Sequence, residues 1–168
     1  LTSEKEGTIP TPDWKAEQFN GEQWRIGDTY NTAIGQYGFQ VTPLQTAVAV
    51  AAIGNNGKII RPTLLKDGNI GKDYEVRLPF AREDIKVVQE GMRAAVLSGT
   101  AKALDAGGVA AAAKTGTAEL GALKQYVNSW VIGFFPYENP KYSFAVVMER
   151  GPAQNLVGSS AVMSQFLS

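Results

Sequence analysis

The chain has 168 residues, enough for one domain with a hydrophobic core, and its sixteen basic and sixteen acidic residues cancel, so long-range attraction to nucleic acid or an anionic membrane surface is excluded. It has neither cysteine nor histidine, which removes thiol nucleophiles, disulfides, the usual zinc sites and imidazole bases. No metal or cofactor is expected, and proton transfer falls to Lys, Asp, Glu or Tyr.

Leu1 to Gly27 is polar, punctuated by Pro10 and Pro12, with Trp14, Phe19 and Trp24 as spaced aromatics. Two readings stand: an ordered loop pinned by those rings, or a disordered lead-in. Thr42-Pro43-Leu44-Gln45 predicts a helix start, with a threonine cap, proline at the first helical position and glutamine three residues after the cap. The helix runs to about Ile53, and Leu44, Ala47, Val48, Ala51 and Ala52 imply close packing on a neighbouring helix. Gly54-Asn55-Asn56-Gly57 ends it with residues that tolerate left-handed backbone. A short edge strand over Lys58 to Leu65, limited by Pro62, turns at Asp67-Gly68 and pairs with Tyr74 to Leu78.

A second helix begins near Arg82, with Glu83 and Asp84 in its first turn, a buried face of Ile85, Val88, Met92, Ala95 and Val96, and a stop at Gly99. Thr100 to Asp105 adds a helical turn or two, Asp105 reading as a solvated acid, before Gly107-Gly108. Three strands follow. Val109 to Glu119 comes first, then Ser129 to Phe135, buried on both faces, with Tyr126-Val127-Asn128 as its lead-in. After a turn at Glu138 to Lys141 comes Tyr142 to Met148, broken by Gly151-Pro152, so the short connections predict an antiparallel meander. Val157, Ala161, Val162 and Phe166 form an apolar helical stripe to cover one sheet face.

The candidate site lies in the first of these strands, at Lys114-Thr115-Gly116-Thr117. Strand alternation puts Thr115 and Thr117 on one face and Lys114 on the other, while Gly116 lets a ligand's backbone come close. Such an edge suits an extended, carboxylate-bearing substrate: main-chain bonds to Thr117, hydroxyls on the anion, an ammonium nearby.

Several segments carry a family resemblance in one order. They are Gly27-Asp28-Thr29 through Asn31, Ala33-Ile34-Gly35-Gln36, Val41 to Gln45, Asn56-Gly57-Lys58 with Arg61-Pro62, Ser98-Gly99-Thr100-Ala101, Lys114 to Glu119, and Ser129-Trp130 to Pro136. From about Trp14 onward the chain resembles the transpeptidase domain of class B penicillin-binding proteins, the elongation type especially, where K-T-G accompanies S-x-x-K and S-x-N. It departs from the family at Gln36-Tyr37-Gly38, where glycine usually follows the glutamine directly. It also holds no S-x-x-K and no S-x-N.

The resemblance implies an α+β fold, an antiparallel sheet flanked by helices, as the C-terminal portion of a penicillin-binding transpeptidase (serine β-lactamase-like) domain whose first part is expected upstream. Within it, 1–41 would be a groove-shaping loop region, 42–108 a helical and short-strand region, and 109–168 the sheet strands and C-terminal helix. It further implies a D,D-transpeptidase that cross-links peptidoglycan stem peptides through a serine acyl-enzyme and is inhibited by β-lactams. Lys114 and Thr117 would act in catalysis, and Lys114, Thr115, Gly116 and Thr117 in substrate binding. Implied partners are the missing N-terminal part, a glycosyltransferase and other cell-wall synthesis proteins; the implied location is the extracytoplasmic face of the bacterial membrane, through an upstream anchor. A D,D-carboxypeptidase, a serine β-lactamase, and a non-catalytic sensor or inert fragment remain alternatives.

Overall fold

The computed structural model describes residues 4–64, 76–121, 123–154 and 157–168. The chain forms two compact units, one up to Thr42 and the other from Pro43 to Ser168.

The first unit is built on two helices, α1 (Pro12–Gln18) and α2 (Ile26–Ala33). This corrects both the loop and the disordered reading of its first part. The signal lay in Thr11-Pro12-Asp13, the same cap-and-proline pattern that marks Thr42-Pro43: Thr11 Oγ1 accepts from the Trp14 N–H, Pro12 needs no donor partner, and Asp13 sits at the positive end of the helix. The rings do pin the unit. Tyr37 stacks on Phe19 at 6.3 Å between centroids and meets Trp14 edge-on at 5.9 Å and Trp24 at 6.3 Å. Thr8 and Gln40 pair their main chains antiparallel across the open end.

Tyr37 stands directly after Gln36, where the pattern that the chain resembles usually has glycine, and it adopts a left-handed backbone at φ 57°. Gly38 follows at φ +71°, with the Trp14 ring so close that an added Cβ would lie 2.5 Å from it. The aromatic packing of Tyr37 offsets a backbone cost of about 1–2 kcal/mol.

The second unit starts with α3 (Pro43–Gly54), β1 (Lys58–Ile59) and β2 (Val76–Arg77), continues with α4 (Arg82–Ser98) and a 3₁₀ segment (Lys102–Gly107), and ends with β3 (Ala112–Leu120), β4 (Tyr126–Phe135), β5 (Tyr142–Pro152) and α5 (Ser159–Leu167). β1 and β2 form a two-stranded antiparallel ribbon, Lys58 facing Arg77 and Ile59 facing Val76. The expected strand is thus shorter than Lys58 to Leu65, ending before Pro62. Leu65, the Asp67-Gly68 turn and Tyr74 lie outside the described residues.

The main sheet is antiparallel in the order β3-β4-β5, with helices on its faces. Alternation along β4 sends Val131 to one face, where it packs with Ala111, Ala113, Val96, Ala101, Leu104, Met163 and Leu167. Phe134 goes to the other, with Ala112, Val50 and Met92. The alanine run is therefore a strand buried from both sides; Ala111, Ala112 and Ala113 are all fully buried, and their small side chains let the helices close on it. α3 settles mainly on β4 and β5 rather than on another helix, with Val50, Ala52 and Gly54 buried and the Phe134 ring 3.1 Å from where a Cβ on Gly54 would stand. Gln89 of α4 donates to the Ile53 carbonyl at 2.7 Å and satisfies one of the open acceptors at the end of α3.

Three further expectations change. Val88 is not buried with Ile85, Met92 and Val96; it stays half open on the wall of an apolar groove of about 540 Å³ with Ile85, Val48 and Leu78. Gly151-Pro152 does not break β5, which continues past an irregularity at Asn128 to pair Gly151 with Val127 and Pro152 with Tyr126. Arg150 takes φ +53° there and its N–H donates to Asn128 Oδ1 at 2.9 Å; β5 is an edge among the described strands, where proline's missing donor costs little. The C-terminal helix buries Ser159, Met163 and Leu167, a stripe one residue round from the expected one, leaving Val157, Val162 and Phe166 exposed. Ser129 decides this rotation, because its hydroxyl accepts the Ser159 N–H at 3.1 Å and lies 3.2 Å from the Ser159 hydroxyl, drawing Ser159 inward.

Candidate active site

Among the described strands β3 is paired on one side only, so one edge of Lys114-Thr115-Gly116-Thr117 lies off the sheet. Its direction follows from two carbonyls. The Ala111 carbonyl accepts from the Arg93 guanidinium at 2.9 Å and the Thr115 carbonyl from the Lys114 ammonium at 2.6 Å. Residues two apart in an antiparallel strand turn their main-chain groups to the same side, so the Thr117 N–H and C=O point along this edge as well.

α4 covers the first part of the edge, with Arg93 bonded to Ala111 and Val96 packed on Ala111 and Ala113, and it stops at Ser98. Burial changes accordingly. Ala113 is fully buried, while Lys114, Gly116 and Thr117 are exposed and Thr115 is half-buried.

The register puts Thr115 opposite Val131 and Thr117 opposite Ser129 on one face, and Lys114 opposite Ile132 on the other. Lys114 still reaches the hydroxyl-bearing edge by folding back onto the Thr115 carbonyl. For Gly116, the nearest neighbour of an added Cβ is the Trp130 Cβ at 3.6 Å, an ordinary contact, and its φ is not in the left-handed region. The fold has room for a side chain at this position.

One polar contact was not legible beforehand: Thr100 Oγ1 lies 2.6 Å from Thr115 Oγ1. Ser98-Gly99-Thr100-Ala101 stood among the family-like segments, yet a residue fifteen positions before Thr115 has no periodic relation to it. Asp105 stays exposed in the 3₁₀ segment. Asn128 accepts the Arg150 N–H within the strand irregularity, as strand lead-in rather than site. Among the described residues no group of acidic side chains is arranged to hold a metal ion, and no helix is long and apolar enough to cross a membrane.

The family model of the penicillin-binding protein transpeptidase domain matches residues 1–168. The chain is 31% identical to the peptidoglycan D,D-transpeptidase MrdA of Acinetobacter baumannii over 90% of its own length and 25% of that protein's. Its fold superposes on PBP2 of Helicobacter pylori, solved in complex with MreC, with a TM-score of 0.81 at 29% identity, covering 98% of this chain and 30% of that one. Pseudomonas aeruginosa PBP2, solved with WCK 5153, gives 0.79 at 28% identity over 99% and 38%. The chain belongs to the penicillin-binding protein transpeptidase family. It spans about a quarter to a third of the curated relatives it matches.

Proposed function

We propose that the chain forms part of a peptidoglycan D,D-transpeptidase, acylated by stem peptides and by β-lactams, with β3 as the strand along which the substrate lies. The observation that carries this reading is the exposed half of β3, where an ammonium, two hydroxyls and an outward-turned main chain fall within four residues beside a glycine that the fold does not require. In the proposed reaction a serine attacks the peptide carbonyl, and the acyl group then passes to an amine of a second strand. The nucleophile and its base come from polypeptide outside these 168 residues, which hold no S-x-x-K or S-x-N.

Thr115 and Thr117 receive the substrate's terminal carboxylate, with Lys114 adding positive potential. The Thr117 N–H stabilises the oxyanion, a type of contact whose loss costs about 10²–10³ in rate. Relatives that act on peptidoglycan, and one solved with MreC, support a setting among cell-wall synthesis proteins on the extracytoplasmic side of a membrane.

The test is acylation of the intact protein by a fluorescent penicillin, followed on a denaturing gel. Lys114→Ala lowers acylation while leaving the melting temperature unchanged. Acylation at the wild-type rate, or no acylation of the wild type itself, sinks the proposal.

A further inference from the structure

The Thr100 and Thr115 hydroxyls are 2.6 Å apart, and each has one proton and two lone pairs. Only one of the two protons can lie between the oxygens. If Thr115 donates, its oxygen offers lone pairs alone to whatever lies along β3, which repels an anion. If Thr100 donates, the Thr115 proton is left for a carboxylate. We propose that Thr100 is a positioning residue that donates to Thr115 Oγ1 and so holds the Thr115 hydroxyl as a donor to the substrate's carboxylate. This rests on β3 being the carboxylate-binding strand.

The backbone makes Thr100 suited to that role. Gly99 leaves α4 pressed against the preceding turn, where a Cβ would come 2.8 Å from the Ala95 Cα. Both the Gly99 and Ala101 N–H groups donate to the Ala95 carbonyl, at 3.1 and 3.0 Å, and Ala101 is fully buried. Thr100 is therefore held between two clamped residues. A relay from Thr100 through Thr115 to a carboxylate also strengthens each bond, because a donor that is itself accepting is more polarised and the final acceptor is charged. Without Thr100, the Thr115 hydroxyl is free to turn its proton elsewhere, so the effect falls on recognition of the anion and not on the strand.

The intact protein is acylated with a penicillin and, separately, with the methyl ester of the same penicillin, and the second-order rate constants are compared. Thr100→Val and Thr100→Ala lower the rate with the free acid about tenfold, the scale of one hydrogen bond to a charged group, and leave the ester within about twofold. Thr100→Ser restores the acid rate. An equal loss on acid and ester, or an acid preference that survives both hydroxyl-free variants, overturns the role of Thr100 alone. A wild type that does not prefer the acid overturns the carboxylate reading of β3, and the role of Thr100 with it.

Discussion

The Lys15 ammonium donates to Asp28 Oδ2 at 2.7 Å, with Lys15 only 2% exposed and the Tyr37 ring 5.9 Å away. The same carboxylate oxygen accepts the Arg25 N–H at 2.7 Å, so one acid both starts α2 and neutralises a buried cation carried by α1. Glu22 adds a second, more exposed partner at 3.2 Å.

The pair makes the first unit sensitive to pH in a defined direction. The hydrogen bond from Lys15, followed by that from the Arg25 N–H, holds the Asp28 carboxyl below its ordinary value of 3.8. Its stabilisation is fully present above that value and is lost as pH falls through the lowered one. The hydrogen bond to Asp28 raises Lys15 above 10.5, so that contribution is complete below 10.5 and is lost as pH rises through the raised value. The protection of the α1 and α2 amides, taken as their exchange rate relative to the intrinsic rate at the same pH, is expected to be constant between these limits and to fall outside them. Lys15→Met speeds exchange at neutral pH and weakens the acid dependence; unchanged exchange in that variant contradicts the assignment.

At position 37 the two small substitutions order in an unusual way. Both remove the ring that contacts Trp14, Phe19 and Trp24, but alanine keeps the left-handed strain of about 1–2 kcal/mol and glycine does not. Tyr37→Gly is thus expected to melt no lower than Tyr37→Ala, with both below the wild type. Thermal denaturation of the two variants checks the order.

Gly116 and Gly133 sit seventeen positions apart in two adjacent strands and should respond oppositely to one methyl group. On Gly133 a Cβ would lie 2.3 Å from the Ala112 carbonyl oxygen and 2.6 Å from Phe144, inside the sheet, so Gly133→Ala is expected to cost about 3 kcal/mol or more. On Gly116 the methyl fits against Trp130, so Gly116→Ala keeps its melting temperature and loses penicillin acylation. Equal stability of the two variants refutes the packing argument, and undiminished acylation of Gly116→Ala refutes the close approach of substrate.

The rotation of α5 predicts an asymmetry between two large side chains three residues apart. Met163 is 3% exposed and packs in the core, whereas Phe166 is 77% exposed. Met163→Ala is expected to cost about 2–4 kcal/mol and Phe166→Ala within about 0.5 kcal/mol. Denaturant unfolding of the two variants distinguishes this helix face from the one that periodicity suggested.

Local chemistry was readable wherever it acts over a few residues. Thr42-Pro43 starts α3, Glu83 and Asp84 open α4, Gly99 closes it, and the alternation of Ser129 to Phe135 marks a strand buried on both faces. Thr11-Pro12-Asp13 carried the same information for α1, but the surrounding prolines and polar residues masked it. The order of family-like segments, from Gly27-Asp28-Thr29 through Lys114 to Glu119 and on to Ser129 to Pro136, determined the family from the sequence alone.

Other features depend on residues that meet only in space, and these the tertiary structure decided. Val162 and Phe166 make as good an apolar stripe as Met163 and Leu167; the hydrogen bonds between Ser129 and Ser159, thirty residues apart, choose between them. Pro152 reads as a strand breaker until β5 is placed at an edge, where its missing N–H has no ladder partner to lose. Thr100 acquires its relation to Thr115 only when the end of α4 comes to rest beside β3. Helix caps and strand alternation are set by neighbours a few bonds away, so the sequence determines them by itself; which face is buried and which hydroxyls touch depend on packing between distant segments, and only the folded chain brings those together.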